Sequence, residues 1–341
     1  IHGRPIEIIE YDDETEPELS YLYTKKLIEE DNVLAITGPE FTEHVMAGIQ
    51  AARFQGVPLF YVTPTEWQPE LSQPGSNIFA TQPTPYGYLN AVIIYLKEKQ
   101  GVKNIAILAT VGEAGDEDVG WFTESAEANG IEIIADERID PDAIDAIPQL
   151  TKIKAINPDA IILGGGGNVI GPIMKGIKLL GLDKLPIGGT TGFTSAETLD
   201  LIVGYEPEML LMPLMGPHQP AFGLLPPGDP KIEIADSMIE MFMSEYGETM
   251  GTRRDLLVGW LWCGMDYMDL VVEGLRQAGP LPDDIHAARE AVNNAFENKI
   301  IGFQQLIGKR TMTPTDHIGI TLEADVKMIT IRGGEIVLVE D

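Results

Sequence analysis

Hydroxyl groups, backbone N–H groups and aromatic rings at the ends of apolar runs are the parts of this chain suited to chemistry, and that chemistry is recognition of a small anion. Gly38-Pro39 closes the apolar run Val33 to Thr37, and Thr42 opens a segment of helical period. A threonine there either caps the helix or joins the unpaired N–H groups of the first turn in holding a carboxylate. Spacing alone leaves both roles open. Thr63 and Thr65 follow the next apolar run, Pro58 to Val62, on the same side of a wound sheet. Gly164 to Gly167 follow a third run, Ala160 to Leu163, where glycines leave space for a ligand or merely permit close backbone approach. Phe41, Trp67, Tyr86 and Trp121 suit an apolar pocket wall, and each serves equally well as packing.

Catalysis has no candidate group. There is no Gly-x-Ser-x-Gly elbow and no plausible Cys–His pair for nucleophilic attack. Gly164 to Gly167 run into Asn168 without the Gly-x-Gly-x-x-Gly or Gly-Lys-Ser/Thr spacing of a nucleotide loop. The five histidines are scattered without metal-ligand spacing, and the lone Cys263 excludes an intrachain disulfide. Asp12-Asp13-Glu14 with Glu16 lacks the calcium-loop pattern and reads as a solvated strand end. Trp260, Trp262, Cys263 and Met265 read as core. The expectation is a binding protein with no cofactor and no metal. A formal charge of −30, from 53 acidic against 23 basic residues, repels nucleic acid and anionic lipid, so neither is an expected partner.

These residues need a frame that brings strand ends together. A chain of 341 residues exceeds what one core usually serves, which predicts two α/β lobes. Short apolar runs alternate with longer segments of helical period, the pattern of parallel sheets covered on both faces. Ile6 to Tyr11, Val33 to Thr37, Pro58 to Val62 and Ile78 to Thr81 read as strands of a first lobe, with helices over Leu19 to Glu30 and Thr42 to Gln55. Gln82-Pro83-Thr84-Pro85 discourages helix and central strand alike and predicts a crossing. A second series follows, with strands from Ile105, Ile131, Ala160, Pro186 and Leu210, and helices near Tyr86 to Lys99, Trp121 to Asn129, Gln149 to Ile156, Ile170 to Leu180 and Ser195 to Val203. Three helical stretches within 232–295 have no strands of their own and are expected to cover the first sheet, before two last strands at Val326 and Glu335. The expected lobes are 1–84 with 216–308, and 85–215 with 309–341, joined by about three crossings.

Three segments together resemble the leucine/isoleucine/valine-binding receptors of ABC importers, type I periplasmic solute-binding proteins. They are Ile1-His2-Gly3-Arg4-Pro5-Ile6-Glu7 running to Tyr11-Asp12-Asp13; Ile36-Thr37-Gly38-Pro39 with Thr42, Gly56-Val57-Pro58 and Thr63-Pro64-Thr65; and Gly164-Gly165 leading to Gly181-Leu182, Gly189-Thr190 and Ile301-Gly302-Phe303. No single motif is specific; their order over nearly the whole chain is. In the family a strand, a pocket loop and a helix precede the segment matching Ile1, so the first sheet is expected to lack one strand in this numbering.

The resemblance implies a periplasmic or extracellular protein, with no signal peptide in this chain, that closes on a small molecule and delivers it to a membrane permease as a monomer or weak dimer. It puts the family's carboxylate-binding hydroxyl at Thr42, with Thr65 ahead of Thr63 as a second contact because of a small insertion near Tyr61-Val62. Amino-acid-binding relatives carry an acidic residue where this chain has Gly189-Thr190-Thr191, and an aromatic near Gly166. Without those, a desolvated ligand ammonium loses its partner. The expected ligand is therefore a carboxylate, aromatic or long aliphatic, that is not a standard amino acid, with Gly166, Thr190 and Thr191 lining its space. The alternative is a ligand-sensing receptor or regulator domain of the same fold.

Overall fold

The computed structural model describes every residue except 15, 39–41, 63–68, 191–200, 217–218, 221–222, 251–253, 321–325 and 340–341. The chain folds as two compact units: Ile1–Thr84, Asp229–Thr249 and Trp260–Thr321 form the first, and Pro85–Gly228, Met250–Gly259 and Leu322–Asp341 the second.

The first unit opens with α1 (Pro17–Glu29), whose proline in the first turn needs no hydrogen-bond acceptor for a missing N–H. Strands β1 (Ile36–Thr37), β2 (Leu59–Tyr61) and β3 (Ile78–Ala80) pair in parallel in that order, with α2 (Thr42–Ala52) between the first two. Ile36, Leu59, Tyr61, Ile78 and Ala80 are buried against Ile28, Val45, Ile49 and Ala52 of the two helices. Each of the Ile, Leu and Val side chains among them contributes about 2 kcal/mol on leaving water.

Ile6 to Tyr11 is not a strand in the structure: it forms no ladder, and Ile6, Ile8 and Ile9 are exposed. A strand needs a neighbour's N–H and C=O groups, and β1 pairs only with β2 among the described residues. An apolar cavity of about 400 Å³ is lined by residues 4–9 on one side and 33–37 on the other, with Met268, Val271 and Leu275 beside them.

The second unit carries a seven-stranded sheet, assembled from β4 (Asn104–Thr110), β5 (Glu132–Ile139), β6 (Ala160–Gly164), β7 (Ile187–Gly188) and β8 (Leu210–Leu214), with two later strands at its edge. These five are parallel, in the order β8-β7-β6-β4-β5. Helices α3 (Pro85–Gln100) and α4 (Glu113–Asn129) cover one face, α5 (Ile147–Ile156) and α6 (Ile170–Leu179) the other. The strands alternate accordingly. Ile105, Ile107 and Ala109 of β4 pack with Leu89, Val92 and Phe122, while Ala106 and Leu108 pack with Leu150 and Ile173.

The chain then returns to the first unit for most of α7 (Pro230–Met250) and α8 (Arg254–Ala278), for α9 (Ile285–Lys299), and for the hairpin of β9 (Phe303–Gln304) and β10 (Lys309–Arg310). Asp284 caps α9 by accepting from the Ala287 N–H at 2.8 Å. Phe296 packs on Phe60 and Phe79, with ring centroids 4.7 and 5.3 Å away, and His317 stacks on Phe79 at 4.6 Å. The close is β11 (Lys327–Arg332) and β12 (Glu335–Leu338), antiparallel additions beside β8. The division follows these ladders. Residues 309–321 stay with the first unit because β10 pairs with β9, and 216–228 stay with the second, where Leu224 joins the core beneath β8.

Candidate functional site

In parallel wound sheets the carboxyl ends of the strands leave helix N-termini and loops open to a ligand, and each unit has such an edge. In the first, β1 ends at Thr37, Gly38 takes φ +139°, and its N–H reaches the Phe60 carbonyl at 3.3 Å. Thr42 then opens α2, so the first-turn N–H groups stand at the strand end as expected. The expected contacts Phe41, Thr63 and Thr65, with Trp67, lie outside the described residues, as does the side chain of Thr42.

The exit of β3 is held tightly. Arg310, fully buried, donates to the Ala80, Thr81 and Ile318 carbonyls and to Gln305 Oε1, at 2.6 Å for Thr81 and Gln305. The Asp266 carboxylate, also buried, accepts from the Leu306 and Ile307 N–H groups, each at 3.2 Å. Burial pushes the Asp266 carboxyl up to about 7 against the attraction of Arg310, and pushes the Arg310 guanidinium down to about 10. This buried polar frame fixes Thr81, shortly before the chain leaves the first unit at Thr84.

The second unit brings together more of what was expected. Gly166 lies two residues beyond β6 and Thr190 two beyond β7, on adjacent parallel strands, so both stand at one edge. Thr190 is buried; Gly166 is half-buried and faces open space where a side chain would begin. Thr191 lies outside the described residues. Tyr86, in the first turn of α3, is half-buried, its ring 6.5 Å from that of Trp121 on α4.

One residue at this edge is absent from the sequence-based expectations. Asp118, in the second turn of α4, accepts the Gly165 N–H at 2.7 Å through Oδ2. Its Cβ lies where a Gly164 side chain would touch it at 3.2 Å, and a Cβ on Gly165 or Gly115 would collide with Thr110 at the end of β4. Gly165 also holds φ +77°, a left-handed conformation that suits glycine alone. Gly164 and Gly165 thus permit close approach, and a Cβ on Gly166 would meet no other atom within 4 Å. Burial pushes the Asp118 carboxyl up to about 7, the Gly165 N–H pulling the other way. Nearby, Arg138 bridges Asp116 and Asp136 at 2.6 and 2.7 Å and reaches the Thr110 carbonyl at 3.4 Å, bracing the ends of β4 and β5.

Among the described residues no His, Cys, Asp and Glu cluster has the makings of a metal site, and no helix is long and apolar enough to cross a membrane.

A periplasmic binding protein family model matches residues 1–334. An extracellular ligand-binding receptor from Rhodopseudomonas palustris HaA2 superposes with a TM-score of 0.77 at 20% identity, over 100% of this chain and 91% of that one. The leucine binding protein LivK of Thermotoga maritima gives 0.73 at 18%, over 100% and 88%. The branched-chain amino acid transporter substrate binding protein LivJ of Streptococcus pneumoniae, in complex with isoleucine, gives 0.70 at 19%, over 98% and 86%. No curated protein matches. With two wound α/β units, and a match running over nearly its full length, the chain belongs to the periplasmic binding protein family and has the type I fold of its leucine-binding members.

Proposed function

We propose that this protein is the extracytoplasmic solute-binding component of an ABC importer, which takes up a small carboxylate-bearing ligand by hinge closure, presents the closed form to a membrane permease and catalyses nothing. The observation that carries the reading is the family match over residues 1–334. It is supported by a helix N-terminus beyond β1 suited to an anion, and by an open glycine loop beyond β6. Ligand contacts from both units would stabilise a closed form over an open one, and only such differential contacts shift the balance. The leucine and isoleucine in the relatives' names do not transfer directly, because Gly166 and Thr190 stand where amino-acid-binding relatives are expected to carry an aromatic and an acid.

Isothermal titration with benzoate, 4-hydroxybenzoate, 4-methylpentanoate, L-leucine and L-isoleucine tests the reading. At least one carboxylate is expected to bind with one-to-one stoichiometry and no turnover. Silence across the set, with mass spectrometry finding no carboxylate released from the purified protein, would remove it. Steady consumption of a bound compound would make the protein an enzyme instead.

A further inference from the structure

The outer edge of β3 has no strand beside it, since β3 pairs only with β2 among the described residues. Buried peptide groups need partners, and the segment that follows β10 supplies them. The Ala80 N–H donates to the His317 carbonyl at 3.2 Å, and the Ile78 carbonyl faces His317 Nδ1 at 2.9 Å. At the end of β3 the Arg310 guanidinium takes over, with Nη1 donating to the Ala80 carbonyl at 3.2 Å and Nη2 to the Thr81 carbonyl at 2.6 Å. The same Nη1 also donates to the Ile318 carbonyl. One fully buried group thus joins two stretches far apart in sequence, and both are about to leave the first unit: Thr81 shortly before Thr84, and Ile318 shortly before Thr321. Arg310 is itself fixed in place. Its Nε donates to Gln305 Oε1 at 2.6 Å, and Gln305 Nε2 donates to the Asp266 carbonyl at 2.7 Å. A guanidinium is a rigid fork, so carbonyls that share it cannot shift separately without leaving a buried donor and acceptor unpaired.

We infer that Arg310 is a conformational coupler, which binds the first unit's two outgoing connections, at Thr81 and at Ile318, into one element that opens and closes as a whole. Loosening either connection therefore loosens the other. In a carrier that closes on a ligand, bending is then left to the residues beyond Thr81 and beyond Ile318, and a displacement of one connection is passed to its neighbour. The coupling itself lies within the first unit and does not depend on the carrier reading.

Native-state hydrogen exchange on the full chain, with no ligand added, tests the coupling, because amides released by one opening event share one opening free energy. The reporters are the N–H groups of Ala80 and Thr81 on one side, and of Thr311, His317 and Gly319 on the other, all hydrogen-bonded within the first unit. Thr81→Val removes the hydroxyl's bond to the Tyr61 carbonyl and keeps the carbonyl that Arg310 holds. Both groups of amides are expected to exchange roughly three- to tenfold faster in it, by a common factor, the scale of one hydrogen bond. The Leu59 N–H of β2, bonded to the Asn77 carbonyl, should not change. Arg310→Lys keeps the charge but loses the fork. In that background the two groups should part, and adding Thr81→Val should speed only Ala80 and Thr81. Acceleration of the first group alone, or of neither, in the wild-type background overturns the inference. So does a common acceleration that survives Arg310→Lys, or one that reaches Leu59 equally and so reports opening of the whole unit. If Arg310→Lys does not fold, Gln305→Met, which removes the acceptor of Nε, takes its place. It is expected to speed both groups by one factor, and any other pattern overturns the coupling.

Discussion

Among the described residues, the fully buried Arg310 guanidinium has four hydrogen-bond acceptors around it. Its guanidinium serves three carbonyls and Gln305, and its charge lies close enough to Asp266 to hold that carboxyl below where burial alone would put it. Removing one partner of a buried charged pair leaves the other uncompensated, which costs about 3–5 kcal/mol. Arg310→Leu is therefore predicted to lower stability by about that much at alkaline pH. The deficit should depend on pH in a defined direction. The folded-state pKa of Asp266 is raised, to about 7 from an ordinary 3.8, so its contribution is fully present below 3.8 and is lost as pH rises through 7. Without Arg310 the carboxyl rises further, so acidification lets it protonate and relieves part of the loss. Urea midpoints at pH 6, 7.5 and 9 should show the gap between wild type and variant narrowing toward pH 6; a gap constant with pH would mean that only the hydrogen bonds to Ala80, Thr81, Ile318 and Gln305 matter. None of this is legible in the sequence, because Arg310 and Asp266 are 44 positions apart in numbering and acquire meaning only when β10 and α8 pack together.

Elements are far more legible than residues, for a physical reason: a buried parallel strand reads as a short apolar run bounded by turn residues, as Ala160–Gly164 and Leu210–Leu214 do. Where the period weakens, the reading fails. Residues 113–120 contain two glycines and four acids and almost no apolar period, so the pattern predicts a helix only from Trp121. It begins at Glu113, and that extra stretch is what carries Asp118 to the sheet edge. Ile6 to Tyr11 errs in the opposite sense, having strand composition without a ladder partner. Helix packing supplies a sharper test at this scale. A Cβ on Gly274 of α8 would collide with the Phe296 ring, which is itself wedged between Phe60 and Phe79. Alanine is the better helix former by about 1 kcal/mol, yet overpacking a rigid aromatic cluster costs about 1–3 kcal/mol. Gly274→Ala is predicted to destabilise on balance, with a lower urea midpoint and altered near-ultraviolet circular dichroism. A stabilised variant would show that α8 and α9 separate at little cost.

At the scale of the whole molecule, the two-unit α/β organisation is readable from alternation and length. Of the candidate site, Gly166 and Thr190 stand at one strand edge and Thr42 opens α2, while Phe41, Thr63, Thr65 and Thr191 lie outside the described residues. Charge is the one global property that composition states outright. With 53 acidic and 23 basic residues, the ion pairs described between side chains, such as Arg138 with Asp116 and Asp136, engage only a small part of the negative charge. The remainder repels itself across both units, and the folded state concentrates that repulsion more than an expanded chain does. The screening length is about 10 Å at 0.1 M salt, so sodium chloride should relieve the repulsion without touching the buried cores. The melting temperature is predicted to rise by a few degrees between about 10 mM and about 500 mM sodium chloride. The same rise should appear with potassium chloride at equal ionic strength, since screening does not distinguish the two cations. A melting temperature indifferent to salt would mean that the acidic residues are spread widely enough to be independent, and that acidity serves solubility at no cost to the fold.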